Sequence, residues 1–280
     1  MGLVRRVAAV VLPLGLVVGG VAYGVSRHSS GDDSTLGLCS TQVGHLTVQL
    51  SDTQARNASL IAAIAVRRGM PAHAATIGLA TALQESKLYN VHGGDRDSLG
   101  LFQQRPSQGW GSRAEVLDPV HATNAFYDAL LRVDGYDTLP VTVAAQRVQR
   151  SGYPSAYAVY ESDARALASA LTGDSPAAFR CHLDAPGDGS IQPAAQRAVA
   201  LQRALEPAFG PVRVTVGPGG SLRVAASGRP RGWSMASFLV ARATGLRLGH
   251  VSYGGRTWTA GTDDGWRRDP GSVAGVVVIH

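Results

Sequence analysis

Apolar residues recur at three- and four-residue intervals through much of the chain, the spacing that gathers them on one face of a helix. Ser51-Asp52-Thr53-Gln54 has the form of a capping box. The Leu60, Ile61, Ile64 and Ala65 that follow share one side of a helix that should stop at Gly69, ahead of Pro71. From Ala72 to Lys87 the next segment carries Ile77, Leu79, Ala80 and Leu83 and almost no polar face, so it should lie buried at the centre of a domain. Helical spacing returns over Pro119 to Val133, Val141 to Arg150 and Pro154 to Leu171. In between, Asn90 to Gly111 is rich in Gly, Asp, Ser, Gln and Pro, a composition of turns and short extended pieces that line a surface rather than fill a core.

After Ala185-Pro-Gly-Asp-Gly-Ser-Ile-Gln-Pro193, a linker by composition, the pattern changes. Ala194 to Ala208 reads as an amphipathic helix, and Val212 to Val216 and Ser221 to Ala226 pair across Gly217-Pro-Gly-Gly220 as a hairpin. A helix over Trp233 to Thr244 and strands over His250 to Tyr253, Thr257 to Ala260 and Val273 to His280 complete a small α+β unit.

The first residues set the compartment. Arg5 and Arg6 precede an uncharged run from Val7 to Ser26, and about twenty such residues as a helix span a bilayer. By the positive-inside rule the N-terminus stays cytoplasmic and the rest of the chain crosses the membrane. An uncleaved anchor over 1–28 is the reading, with a cleaved signal peptide as the alternative. Residues 29–35 are a polar spacer. In that compartment Cys39 and Cys181 are expected to form a disulfide that brackets the motif region and contributes about 4 to 5 kcal/mol by loop closure; two free thiols are the alternative. With 280 residues, 45% of them hydrophobic, the chain has room for two folded domains, 36–183 and 194–280, joined by a linker over 184–193. The net charge of +6 comes mostly from arginine spread over both, with no basic block, which argues against nucleic acid and suits anionic wall polymers. No Cys-x-x-Cys or His-x-x-x-His occurs, so spacing supports no metal, and no cofactor is expected.

Glu85 ends a helical stretch, Ala74 to Gln84, that carries no other charge. A carboxyl in apolar surroundings has its ionised form disfavoured, which raises its pKa and suits it to donate a proton near neutral pH. Gly94-Asp95-Arg96 and Gly100-Leu101-Phe102-Gln103 follow. Glu85-Ser86 with Gly100-Leu101-Phe102-Gln103 resembles the Glu-Ser and Gly-Leu-Met-Gln motifs of soluble lytic transglycosylases and goose-type lysozymes. Gly94-Asp95-Arg96 resembles the goose-type pattern, and Gln103-Gln-Arg-Pro-Ser-Gln-Gly-Trp-Gly111 is similar to actinobacterial wall proteins of this group. The resemblance covers roughly residues 50–172.

It implies a mainly α, lysozyme-like domain, so that with the smaller α+β unit and the single N-terminal transmembrane helix read above the expected order is anchor, lysozyme-like domain and α+β domain. It further implies that Glu85 is the catalytic acid/base, that Ser86 orients substrate or intermediate, and that Gln103, in the motif opened by Gly100, lies beside the sugar. The implied activity is cleavage of β-1,4 bonds in peptidoglycan glycan strands at the outer face of the cytoplasmic membrane. In a transglycosylase one carboxyl suffices; in a hydrolase a second must position water, and Asp95 is the better candidate, Asp97 the weaker. Trp110, in a glycine-flanked loop, is a candidate sugar platform.

Two departures bear on the product. The Ala-Tyr-Asn motif usual in transglycosylases has only Ala144-Ala145-Gln146-Arg147 as its nearest match, leaving Tyr153 or Tyr157 to supply an aromatic ring. The goose-type aspartate after the Gln motif is replaced by Gln104-Arg105. Transglycosylase, hydrolytic muramidase and a non-catalytic wall-binding or division scaffold are therefore all carried forward. Gly232-Trp233-Ser-Met-Ala-Ser-Phe and Val251-Ser-Tyr-Gly-Gly-Arg-Thr-Trp258 resemble the C-terminal half of a zinc-peptidase-like wall domain. With only His250 and His280 available, a metal-free remnant is expected there. No protein partner is read from the sequence.

Overall fold

The first strands form where a short alternation of buried and exposed residues meets a glycine turn. Leu38–Val43 (β1) and Leu46–Leu50 (β2) pair antiparallel across Gly44-His45, Gly44 supplying the positive φ of 59°. The computed structural model describes residues 38–153, 155–187, 192–272 and 274–280. The expected anchor and spacer lie outside the described residues; among those described, no helix is long and apolar enough to cross a membrane.

Ser51 then caps Asp52–Arg67 (α1), its hydroxyl accepting from Gln54 N while Gln54 Oε1 accepts from Ser51 N, the reciprocal capping box. Ala72–Ser86 (α2) is buried from Ala74 to Leu83, as an all-apolar helix must be. Arg113–Val116 (α3), Pro119–Leu130 (α4) and Val141–Gln149 (α5) follow, then Glu161–Thr172 (α6). The predicted helix from Pro154 is shorter than expected. Ala156–Tyr160 winds as a 3₁₀ turn that seats Tyr157 fully inside, and α-helical geometry starts only at Glu161.

Phe179–His182 (β3) returns to pair with β1, placing Cys39 opposite Cys181, and the two are joined as a disulfide. The resulting antiparallel sheet, ordered β2-β1-β3, is absent from the predicted elements.

The C-terminal segment contributes Ala194–Phe209 (α7), Val214–Val216 (β4), Leu222–Ala225 (β5), Arg229–Val240 (α8), Ala243–Leu246 (α9), His250–Tyr253 (β6), Arg256–Thr259 (β7), Trp266–Arg268 (β8) and Val276–Ile279 (β9). The strands form a second antiparallel sheet, ordered β4-β5-β9-β6-β7-β8. Helix α8 starts ahead of its expected position because Gly228 caps it and Pro230 occupies the first turn, where no N–H is missed.

Every residue from Gly232 to Val240 in α8 is buried, because the helix packs on α1 and α6 on one side and on β6 and β9 on the other. Its approach to α6 is close. Gly173, the left-handed C-cap of α6, has φ 94°, and a Cβ there would stand 2.0 Å from Pro230 O. Beyond α8, the Arg242 guanidinium lies over the Phe238 ring and donates to Ser59 Oγ at 2.7 Å and Arg56 O at 2.9 Å on α1. Two tryptophans tie the second sheet to β3, Trp258 Nε1 donating to Cys181 O at 3.0 Å and Trp266 Nε1 to Phe179 O at 2.7 Å. One hydrophobic core runs from Cys39 to Ile279, and the described residues belong to a single compact unit by their contacts.

Candidate active site

Helix α2 carries Glu85 to the edge of the core and stops there. The next two residues, Lys87 and Leu88, both turn left-handed, at φ 54° and 65°. Such backbone is costly for side chains other than glycine, and here α1 secures it: Gln54 Nε2 donates to Lys87 O at 2.9 Å and Asn57 Nδ2 to Leu88 O at 2.7 Å. The Lys87 ammonium in turn lies over the Tyr160 ring, 4.3 Å from its centroid.

The Gly100 motif forms a tight turn beside this helix end. Leu99 and Gln104 exchange backbone hydrogen bonds of 2.9 and 3.0 Å, and Gly100, at φ 75°, approaches so closely that a Cβ would stand 2.5 Å from Val116 O. Ser86 is buried, and its hydroxyl donates to Leu101 O at 2.8 Å, so it clamps the turn to α2. Gln103 is left-handed as well, at φ 46°, and its side chain covers Gly94, where a Cβ would stand 1.8 Å from Gln103 Oε1.

Glu85 is half-buried. The Tyr157 hydroxyl donates to Glu85 Oε1 at 2.8 Å, and Gln149, whose Nε2 holds Phe102 O at 2.7 Å, lies beside the carboxyl. Gln149 therefore ties α5 to the Gly100 turn beside the acid. Ser151, which exchanges two 2.8 Å hydrogen bonds with Gln146, adjoins the Tyr157 hydroxyl. Burial pushes the Glu85 carboxyl above its ordinary pKa, against Tyr157 and Gln149, which favour the ionised form. Burial and the neighbouring Glu85 push the Tyr157 phenol up too, so it remains protonated and donating.

Neither aspartate of the loop joins this group in the same way. Asp97 accepts from Arg105 Nε at 2.8 Å, Ser107 N at 2.8 Å and Ser107 Oγ at 3.0 Å, which holds its carboxyl well below the usual range and pins the loop. Asp95 has a side chain 93% exposed, with Arg96 Nε at 3.9 Å.

No protein-family model matches this chain, and no curated protein is similar to it. Trp110 is half-buried against the core, its carbonyl 3.3 Å from His121 Nε2. Tyr153 stands 79% exposed, and it is Tyr157 that reaches the acid. Gln149 and Ser151 are not among the expected site residues; their one sequence signal is that Gln146, in the nearest match to Ala-Tyr-Asn, and Gln149 lie one turn apart on α5. Among the described residues no three His, Cys, Asp or Glu gather as a metal set, and His250 and His280 face each other alone at 6.3 Å between ring centroids.

Proposed function

We propose that the protein cleaves peptidoglycan glycan strands as a lytic transglycosylase, with Glu85 as its single acid/base. The observation that carries this reading is the half-buried Glu85 carboxyl, raised in pKa and oriented by Tyr157, with Gln149 alongside, next to the Gly100 turn. Such a group holds a proton at higher pH than an exposed glutamate and can deliver it to the leaving glycosidic oxygen as an oxocarbenium-like centre develops. The resulting carboxylate then takes the proton of the muramoyl C6 hydroxyl while that oxygen bonds to C1, closing a 1,6-anhydro ring and restoring Glu85-H. A one-carboxyl mechanism fits a site whose other acids are a tied Asp97 and a solvent-exposed Asp95.

The missing Ala-Tyr-Asn tyrosine is the feature that favours a non-catalytic wall-binding scaffold. Against it, Tyr157 supplies a phenol to the acid from a different part of the chain. The disulfide suits an oxidising, extracytoplasmic compartment, and with the apolar N-terminal run it supports a membrane-anchored enzyme facing the wall.

Glu85→Gln tests the assignment. Release of soluble muropeptides from purified peptidoglycan should fall by roughly 100-fold or more, the scale of lost general acid catalysis, with the circular dichroism spectrum unchanged. A fully active variant would remove Glu85 from the chemistry, and a wild-type chain that binds wall but releases nothing would leave the scaffold.

A further inference from the structure

We propose that Lys87 and Tyr160 form a subsite selecting substrates that carry a free carboxylate on the peptide attached to the muramoyl sugar, an inference that rests on Glu85 being the acid of a glycan-cleaving site. The sequence singles this residue out. Of the 26 lysine and arginine residues in the chain, Lys87 is the one lysine, and it stands two positions after Glu85. Its backbone is left-handed, at φ 54°, a conformation for which a helix end ordinarily uses glycine. A long side chain is kept there against that cost, and strained positions of this kind gather where sites are built. A cation also suits the negative end of a helix, but arginine, used everywhere else in the chain, would serve that purpose equally.

The end of α2 sends three successive polar side chains to three neighbours. Glu85 meets the Tyr157 hydroxyl, Ser86 turns inward to Leu101 O, and Lys87 donates to the Tyr160 hydroxyl while lying over its ring. Tyr157 and Tyr160 are three residues apart in the 3₁₀ turn over Ala156–Tyr160, where side chains at that spacing eclipse, so both rings leave the turn on one side. The same turn therefore positions the acid and the ammonium next to each other, Tyr157 buried, Tyr160 half-buried and Lys87 exposed to an incoming ligand. The ring attracts the cation and restrains a side chain that would otherwise have to be ordered on binding. Tyr160 offers a phenol and not a carboxylate, so the pair keeps its positive charge. An ammonium is a compact charge with three donors, suited to a single carboxylate oxygen where the planar fork of arginine is not required. Peptidoglycan strands carry such groups on the peptides of their muramoyl residues, the sugars whose bonds this site opens. Lys87 thus favours strands with free peptide carboxylates over strands in which these are amidated.

A single lysine makes the test direct. In the full chain labelled with carbon-13 at the lysine ε position, one side-chain NMR signal reports this ammonium. Titration with N-acetylmuramyl-L-alanyl-D-glutamate should shift it saturably, and the same compound with both glutamate carboxyls amidated should bind at least tenfold more weakly. In nitrogen-15-labelled chains, K87M should bind the dicarboxylate at least tenfold more weakly than the wild type, and K87R should keep the preference for it over the diamide. K87G places in the left-handed turn the residue that this backbone favours, which guards against misfolding, and it should lose binding as K87M does. Equal affinity for the two probes, a lysine signal that does not respond, or undiminished binding in K87M and K87G would overturn the proposal. None of these readings needs turnover. A responding lysine in a wild type that releases no muropeptide would support the subsite and contradict the transglycosylase reading, whereas release of muropeptides with an unresponsive lysine would overturn the subsite alone.

Discussion

Burying Glu85 against Tyr157 and Gln149 has an energetic signature that can be read without any substrate. A carboxyl whose folded-state pKa is raised above its unfolded value, about 4.3, contributes stability that is fully present below that value and is lost as pH rises through the folded pKa. Gln cannot ionise, so E85Q should gain stability over the wild type near neutral pH and lose that advantage below about pH 4. Thermal unfolding of both proteins across that range checks this; parallel curves would mean that Glu85 carries no burial cost. Tyr157→Phe removes a hydrogen bond that favours the charged form, so the Glu85 pKa should rise further. If Glu85 donates the proton, the basic limb of the kcat/KM profile then moves to higher pH; an unmoved limb would disconnect Tyr157 from the acid. Glu85 itself was legible because its helix has no other charge over Ala74 to Gln84. Its partners were not, because Tyr157 arrives from 72 residues away and no local pattern encodes such a contact.

At the scale of elements, helices with complete local signals formed where expected: α1 has both halves of its capping box and α2 its unbroken apolar surface. The first sheet was not read. Its strands are short, Ser40 and Gln42 interrupt any apolar run, and β3 closes on β1 only through long-range pairing. Strand β8, Trp266–Arg268, is too short to show an alternation at all. The meeting of α6 and α8 was equally invisible, since it depends on a glycine whose missing side chain makes room for Pro230 O. Gly173→Ala adds both a left-handed alanine and a backbone clash, and should destabilise by on the order of 3 kcal/mol in chemical denaturation. A cost within a few tenths of the wild type would show that α8 can shift freely against α6.

Across the whole molecule, the disulfide and the two tryptophans converge on one short strand, β3, so the bundle that carries Glu85 and the sheet that follows it share a support. C39A/C181A removes a cross-link over 142 residues and should lose about 2 to 5 kcal/mol in urea unfolding, whereas no loss would place the restraint elsewhere. That mutual packing could not be foreseen from composition, which marks a glycine- and proline-rich linker but not what packs across it. The reaction itself is tested most directly by the mass of the muropeptides that the full chain releases from purified peptidoglycan. Muramoyl ends lighter by one water, the 1,6-anhydro form, made by the wild type and absent with E85Q, are the expected result. Reducing ends of full mass would contradict the single-carboxyl mechanism and direct attention to Asp95 as the residue that positions water.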